Sequence, residues 1–318
     1  MVTPLAPRPG LLDRFARPTV QLFGAARSTY QVVGITGFAL AVGLGVVLAR
    51  ARGLPAGVVG LLAAAAVVTF LAQAWATKLV TGVERLVYYR HEVAVAAVAS
   101  GLARLLGAPV LPYLELTVLA LGLFLAFGRL GCFAVGCCYG RTHRHGVRYG
   151  DEHAAAGFPA ELVGVPVFPV QLVEAGWVLA VAALGSALVL RGAPAGEALA
   201  AAVLGYGAGR FLLELARGDE GRPYLLGASE AQWTSVLLAG LVLQAELRGA
   251  WTFRPWHAAV ALALLGALLA TLARTWRARR RQPSAALATA PSPRGYSFSR
   301  IRVRAEASAP DRGPTLAP

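Results

Sequence analysis

Arginines inside apolar segments are the residues of this sequence that most need a chemical explanation. Arg129 lies near the end of an apolar run, within the segment GRLGCFAVGCCYGR. A guanidinium at membrane depth costs several kcal/mol, so it should face protein or a wet cavity and hold an anion. The plainer alternative is an arginine near a helix end that reaches the membrane surface. The residue therefore indicates either an anion site or a helix boundary.

A second set of polar residues follows helical spacing in YGAGRFLLELARGD. Tyr206, Arg210, Glu214 and Arg217 stand at i, i+4, i+8 and i+11, which predicts one polar stripe on an otherwise apolar helix. The arginine and glutamate four residues apart could neutralise each other and serve the fold alone. The added phenol and second guanidinium favour an anionic headgroup, because guanidinium forks bind phosphate oxygens in pairs.

A third polar pair lies in FPVQLVEAGW. Pro169 suits the first turn of a helix. Gln171 and Glu174, three residues apart, then share one helical face at the start of an apolar span. The pair indicates either a substrate contact or helix capping.

The cysteines and histidines could suggest a metal, but their spacing does not support one. The three cysteines of the chain fall within seven residues: Cys132, Cys137 and Cys138. The segment has no C-x₂-C pair of a zinc site and no C-x-x-C-H of a haem site, so small thiols packed between helices are expected and no metal is predicted. The loop that follows holds three histidines, His143, His145 and His153, which remain candidate bases.

The elements that position these residues are apolar helices. The 318 residues are 57% hydrophobic and 14% charged, and the mean hydropathy is +0.59. Soluble domains carry about 25% charged residues, so a soluble protein is excluded, and a nucleic-acid-binding domain would not be this apolar. Ten arginines against two acidic residues after position 273 supply +8 of the net charge of +14, so the basicity belongs mainly to the C-terminal tail.

The hydropathy pattern predicts an all-α, polytopic integral membrane protein with seven or eight transmembrane helices. We divide the chain into an N-terminal polar segment (1–31), a transmembrane domain (32–274) and a basic disordered tail (275–318). The expected spans are roughly 32–49, 54–77, 86–107, 113–136, 169–190, 197–216, 231–247 and 257–273.

Four segments, in this order and spacing, resemble the prolipoprotein diacylglyceryl transferases of bacterial inner membranes: GRLGCF…GCCYGR, PVQLVEA, YGAGRFLLELAR and GASEAQWTS. The resemblance covers roughly residues 80–245. It implies a multi-pass inner-membrane enzyme that needs no cofactor. Such an enzyme moves the diacylglyceryl group of phosphatidylglycerol to the thiol of a lipobox cysteine in a prolipoprotein signal peptide, and glycerol phosphate is released. The nucleophilic thiol then belongs to the substrate.

The resemblance also assigns roles to individual residues. It implies that Arg129 is the essential arginine and that Tyr206 and Arg210 act beside it as catalytic residues. The substrate-binding residues that it implies are Gln171, Glu174, Glu214 and Gln232. Ala231 stands where the family usually has glycine before that last glutamine.

The sequence departs from the family pattern where the base is expected. Tyr89 stands in place of the histidine and is assigned to substrate binding, while Cys132 and Cys137 replace an asparagine and a glutamate. His91 is the first candidate to replace the lost base, and His143 is the second. Alternatively, the substrate thiolate forms with less help, or the chain is a paralogue with another acceptor.

Two other functions also fit the sequence. A catalytically altered paralogue would bind a lipid headgroup without transferring any group. An anion transporter would use the arginines to line a path, although no paired inverted halves are visible in the sequence.

Overall fold

The computed structural model describes residues 10–82, 88–219 and 222–281, and helices dominate this part of the chain. The described α-helices are α1 (Thr29–Ala51), α2 (Ala56–Thr81), α3 (Tyr88–Leu105), α4 (Val110–Val135), α5 (Asp151–Ala155), α6 (Val170–Leu190), α7 (Glu197–Leu213), α8 (Glu230–Leu247) and α9 (Pro255–Arg281). All eight predicted spans fall on helices, and α5 is a short addition between two of them.

Six of these helices, in the part of the chain that the structure describes, are long and apolar enough to cross a membrane: α1, α2, α4, α6, α7 with the turn that follows it, and α9. The helices α3 and α8, each 18 residues long, coincide with the other two predicted spans. The all-α, polytopic membrane fold is therefore confirmed. The predicted number of seven or eight crossings is not confirmed, since α3 and α8 fall short of that standard.

Helix α4 lies at the centre of the bundle and packs against α1, α3, α6 and α7. Small residues allow this close packing. A Cβ atom on Gly37 of α1 would lie 2.4 Å from the Phe127 Cβ of α4. On Gly185 of α6 it would lie 2.3 Å from a Leu119 methyl carbon. The backbones of α1 and α6 at these glycines therefore pack directly against side chains of α4, the helix that carries Arg129.

Short strands lie before the first helix and in the connections between later helices. Antiparallel β1 (Thr19–Leu22) and β2 (Ala25–Ser28) form a hairpin directly before α1. The strand β3 (Thr142–Val147) makes isolated bridges to Val167. Antiparallel β4 (Tyr224–Leu225) and β5 (Ala228–Ser229) form a small hairpin directly before α8.

A backbone junction ties the connection between α4 and α6 to the end of α7. The Gly140 N–H donates to the Phe168 carbonyl, the Arg141 N–H donates to the Ala216 carbonyl, and both distances are 3.0 Å. A Cβ atom on Gly140 would lie 2.5 Å from the Phe168 oxygen, so this approach requires glycine. The junction brings the ends of three helices, α4, α6 and α7, to one place.

The last helix runs further than the sequence suggested. Helix α9 continues to Arg281, seven residues into the segment predicted as a tail from 275 onward. The rest of that predicted tail, 282–318, lies outside the described residues, as does most of the first ten residues of the polar segment. The three-part division of the chain stays a prediction.

Candidate functional site

Glu174 connects the polar residues of three helices. Its fully buried carboxylate, on the second turn of α6, lies 3.0 Å from the Nε of Arg129 on α4. The same carboxylate lies 3.6 Å from the Nε of Arg210 on α7 and accepts a hydrogen bond of 3.2 Å from the Tyr206 hydroxyl. The structure thus brings together four residues that the sequence had placed in three separate motifs.

The second half of the site follows the end of α7. Arg210 donates to Glu214 at 2.6 Å, and Glu214 also pairs with Arg222. The α-helix ends at Leu213 and gives way to a 3-10 turn, so the predicted single helical stripe is interrupted. The side chains remain together because Arg210 and Glu214 are both buried and face each other across the change of helix type.

Arg217 and Asp219 extend this buried charge. The Arg217 Nε and Nη2 atoms donate to the two carboxylate oxygens of Asp219, both at 2.6 Å. Arg222 donates to the Asp219 carbonyl at 3.1 Å. Among the described residues, the connected cluster contains four guanidiniums and three carboxylates: Arg129, Arg210, Arg217 and Arg222 with Glu174, Glu214 and Asp219. One positive charge is left over, so the cluster has the net charge to attract an anion.

Two tyrosines border the cluster on the side of the bundle interior. The Tyr89 ring lies 5.5 Å from that of Tyr206, and the Tyr89 hydroxyl is 2.9 Å from the Ser235 hydroxyl of α8. Both rings line a cavity whose other walls are mainly apolar side chains of α4, α6 and α7. Glu92 also lines this cavity, and its Oε2 is buried without a hydrogen-bond partner among the described residues.

His91 lies on another face of α3 from Tyr89. Its buried ring packs 4.6 Å from Phe70 of α2. Next to it, Arg90 forms a bidentate pair with Glu230 of α8, at 2.6 and 2.9 Å, that joins the starts of α3 and α8. The structure does not bring His91 to the cavity with the two tyrosines, and its catalytic role stays a prediction.

The two predicted glutamines have visible structural partners. Gln171 donates to the Cys137 carbonyl at 2.8 Å, while its own Oε1 is buried without a hydrogen-bond partner among the described residues. Gln232 forms a capping box with Ser229 at the start of α8, in which the Ser229 N–H donates to its Oε1 at 3.0 Å. Gln171 thus keeps a free acceptor near the site, whereas Gln232 uses its side chain to start a helix.

The loop after α4 distributes its histidines unequally. His143 and His145 are exposed on β3, whereas His153 is buried and its Nδ1 accepts a hydrogen bond of 3.1 Å from the Gly150 N–H. Burial lowers the pKa of His153 below its usual range, although Glu152 and nearby backbone groups oppose the shift. Nδ1 can accept this hydrogen bond only if it carries no proton, so the bond requires a neutral His153.

Comparison with known proteins agrees with this geometry. Residues 19–245 match the prolipoprotein diacylglyceryl transferase family. The chain belongs to this family.

A relative in Clostridium perfringens (strain 13 / Type A), phosphatidylglycerol–prolipoprotein diacylglyceryl transferase 2, is 33% identical over 140 residues. The match covers 42% of this chain and 51% of that relative, so the chain spans about half the length of the curated relative. The family resemblance expected from the four motifs is thereby confirmed, and the protein is a multi-pass member of a membrane transferase family.

Sequence reasoning missed three residues that the structure adds to this region. Arg222 pairs with Glu214, Asp219 pairs with Arg217, and Glu92 lines the cavity with the tyrosines. The charge density of RGDEGR after the apolar helix was a usable signal for the first two. Glu92 carried a weaker signal, a carboxylate that follows Arg90 and His91 at the start of an apolar run.

Proposed function

We propose that this protein transfers the diacylglyceryl group of phosphatidylglycerol to the thiol of a lipobox cysteine in prolipoproteins, in the inner membrane of a bacterium. The observation that carries the proposal is the buried cluster around Glu174, which holds one guanidinium more than carboxylates inside an apolar bundle. Membership of the transferase family and the name of the Clostridium perfringens relative support the same activity.

Arg129 and Arg210 are the groups that would hold the phosphate. Their guanidiniums approach the same carboxylate from two helices, so a phosphate near Glu174 could meet donors from both. Positive groups fixed in place before the reaction stabilise the charge that develops on the leaving group. Tyr206 would orient the headgroup, and Glu214, together with Glu174, would hold the Arg210 fork in position.

The reaction exchanges one bond for another. The substrate sulfur forms a bond to the terminal glyceryl carbon, the bond from that carbon to the phosphate oxygen breaks, and the oxygen keeps the electron pair. The thiol proton passes to a base. Glu92 is better placed than His91 for this role because it lines the cavity with Tyr89 and Tyr206, whereas His91 packs on Phe70.

A reconstituted assay tests the proposal. The full chain in vesicles that contain phosphatidylglycerol is incubated with a lipobox peptide, and mass spectrometry detects the added diacylglyceryl group. Arg129→Ala should abolish transfer, whereas Arg191→Ala, at the exposed end of α6, should leave it unchanged. Full activity of Arg129→Ala would overturn the assignment.

The second candidate function is lipid-headgroup binding without transfer. The observation that favours it is the position of Tyr89, whose hydroxyl is engaged with Ser235 where the family resemblance predicts a histidine base. If the protein only binds headgroups, it should bind anionic lipid through Arg129 and Arg210, and the lipobox peptide should stay unmodified. Testing whether the gene restores growth to a conditional strain that lacks its own transferase separates the two functions.

A further inference from the structure

The three cysteines of the chain converge on one point beside the arginine cluster. The Sγ atoms of Cys132, Cys137 and Cys138 all lie within 4.8 Å of one another. The first is buried in the last turn of α4, and the other two are half-buried just after the helix ends. Gly136 makes this possible, because its left-handed conformation (φ +82°) ends the helix and turns the chain back over Cys132, whose carbonyl accepts the Gly136 N–H at 3.0 Å.

The backbone at Cys138 is strained in a way that maintains this convergence. Cys138 has φ +57°, a left-handed conformation that costs a non-glycine residue about 1–2 kcal/mol. The surrounding contacts hold the turn in place: Gln171 donates to the Cys137 carbonyl at 2.8 Å, and the Gly218 N–H donates to the Tyr139 carbonyl at 3.0 Å. Strain that is held by its surroundings is common where a site must be formed in advance.

Two guanidiniums lie beside the three thiols. Arg129 is one helical turn before Cys132 on α4, and the backbone of Arg217 bridges to Gly140, two residues after Cys138. The thiolate is the form of cysteine that binds metals, and neighbouring positive groups stabilise it.

We propose that Cys132, Cys137 and Cys138 bind one soft monovalent cation, Cu(I), through three thiolate sulfurs. Thiolates select soft cations, and Cu(I) is the first-row example. Zinc is the weaker fit because its structural sites use four protein ligands, and the described residues place no histidine, aspartate, glutamate or fourth cysteine in this group.

Binding balances without a redox step. Three Cu–S bonds form, and each thiol that is still protonated releases its proton to water. Three thiolates and one Cu(I) carry a net charge of −2, and this charge lies next to the surplus positive charge of the cluster around Glu174. The sequence pattern predicted no metal site here, since two of the cysteines are adjacent and the third is five residues earlier. The site does not depend on the proposed lipid transfer.

A competition titration tests this proposal. The full chain, purified in detergent, reduced and kept free of oxygen, is titrated with Cu(I) in the presence of a coloured Cu(I) chelator. We expect one Cu(I) per chain, and a Cu K-edge spectrum with three sulfur neighbours and neither nitrogen nor oxygen. Each single variant, Cys132→Ser, Cys137→Ser and Cys138→Ser, should lower the affinity by at least about tenfold. The matched control, His145→Ala on the exposed strand β3, should bind like the unmodified protein.

Three results would overturn the proposal. They are an affinity that survives the loss of any one cysteine, a spectrum with nitrogen or oxygen neighbours, and Zn(II) that displaces Cu(I) at equal concentration. The spectrum uses the unmodified chain, so it decides the matter even if the buried Cys132→Ser variant unfolds. Cys132→Ala, which adds no hydroxyl to the buried position, provides a second variant at that site.

Discussion

Two buried clusters of charge lie at opposite ends of α7, and they are built on different principles. At the start of the helix, Glu115 of α4 pairs with Arg52 at 3.2 Å and accepts the N–H groups of Gly196, Ala198 and Leu199 at 3.1, 3.0 and 3.3 Å. At the end of the helix, Glu174 accepts no backbone N–H in the described structure and faces two arginines instead. Glu115 contacts three backbone N–H groups and one arginine, whereas Glu174 contacts only side chains among the described residues.

The two clusters differ in charge balance, and this difference indicates that the first supports the fold and the second binds a ligand. The cluster at Glu115 has one arginine for one carboxylate, and Arg52 also donates to the Ala193 carbonyl at 2.6 Å, so it fixes the start of α7 against α4. The cluster at Glu174 has a surplus guanidinium and, in Gln171, an acceptor without a partner among the described residues. A buried charge that its surroundings do not neutralise indicates a ligand site.

The largest expected effect comes from breaking the balanced cluster. Glu115→Ala leaves the half-buried Arg52 without its carboxylate and three N–H groups at the start of α7 without their acceptor, so we expect a loss of about 3–5 kcal/mol in unfolding free energy. Unfolding in detergent micelles measures it. Glu230→Ala, which removes the exposed pair with Arg90, should cost about 0–1 kcal/mol. Equal losses in the two variants would contradict the structural role given to Glu115.

The next effect concerns activity rather than stability. Arg210→Lys keeps the charge of the surplus cluster but loses the guanidinium fork that contacts both Glu174 and Glu214. If this cluster stabilises the leaving phosphate, the transfer rate should fall about 100- to 1000-fold. Stability should change by less than in Glu115→Ala. Arg191→Lys is the control, and a fully active Arg210→Lys would show that charge alone is sufficient.

The close packing of α6 on α7 ranks third. Trp177 of α6 lies across α7 and donates to the Gly205 carbonyl at 2.9 Å, and a Cβ atom on Gly209 would lie 1.9 Å from its Nε1. Gly209→Ala should therefore displace the indole and cost about 1–3 kcal/mol. Gly176→Ala, where the added methyl group meets nothing within 4 Å, should be neutral or slightly stabilising. The comparison is made by thermal unfolding of both variants.

The sequence predicted the helices and the motif residues well because hydropathy and helical spacing are local properties. Arg129, Glu174, Tyr206 and Arg210 were each visible as polar groups in apolar segments, and the structure places them in one cluster. Glu115 was also visible in its span, but its partners are backbone groups at the start of a helix more than eighty residues later, which no sequence pattern encodes.

The ends of helices and the turns that bring distant residues together could not be predicted from the sequence. The end of α7 at Leu213 interrupts a spacing that looked continuous, and the glycine turn at Gly136 brings together cysteines whose spacing fits no metal pattern. The catalytic role of His91 stays a prediction, and the structure places this residue away from the cavity. It is two residues from Tyr89, and a helix rotates about 200° over two residues, so only one of them can face the cavity.

The smallest effect concerns the loop between α4 and α6, which leads into the helix that carries Glu174. Burial lowers the pKa of His153 in the folded protein, so the unfolded chain binds more protons once the pH falls to the ordinary histidine value of about 6.5. The stability contributed by neutral His153 is complete above that pH and is lost below it. His153→Asn keeps an acceptor for the Gly150 N–H but does not titrate, so its melting temperature should fall less between pH 7.5 and pH 5.5, a range of about two units around the histidine value. Equal falls in both proteins would show that another group controls the acid sensitivity of this loop.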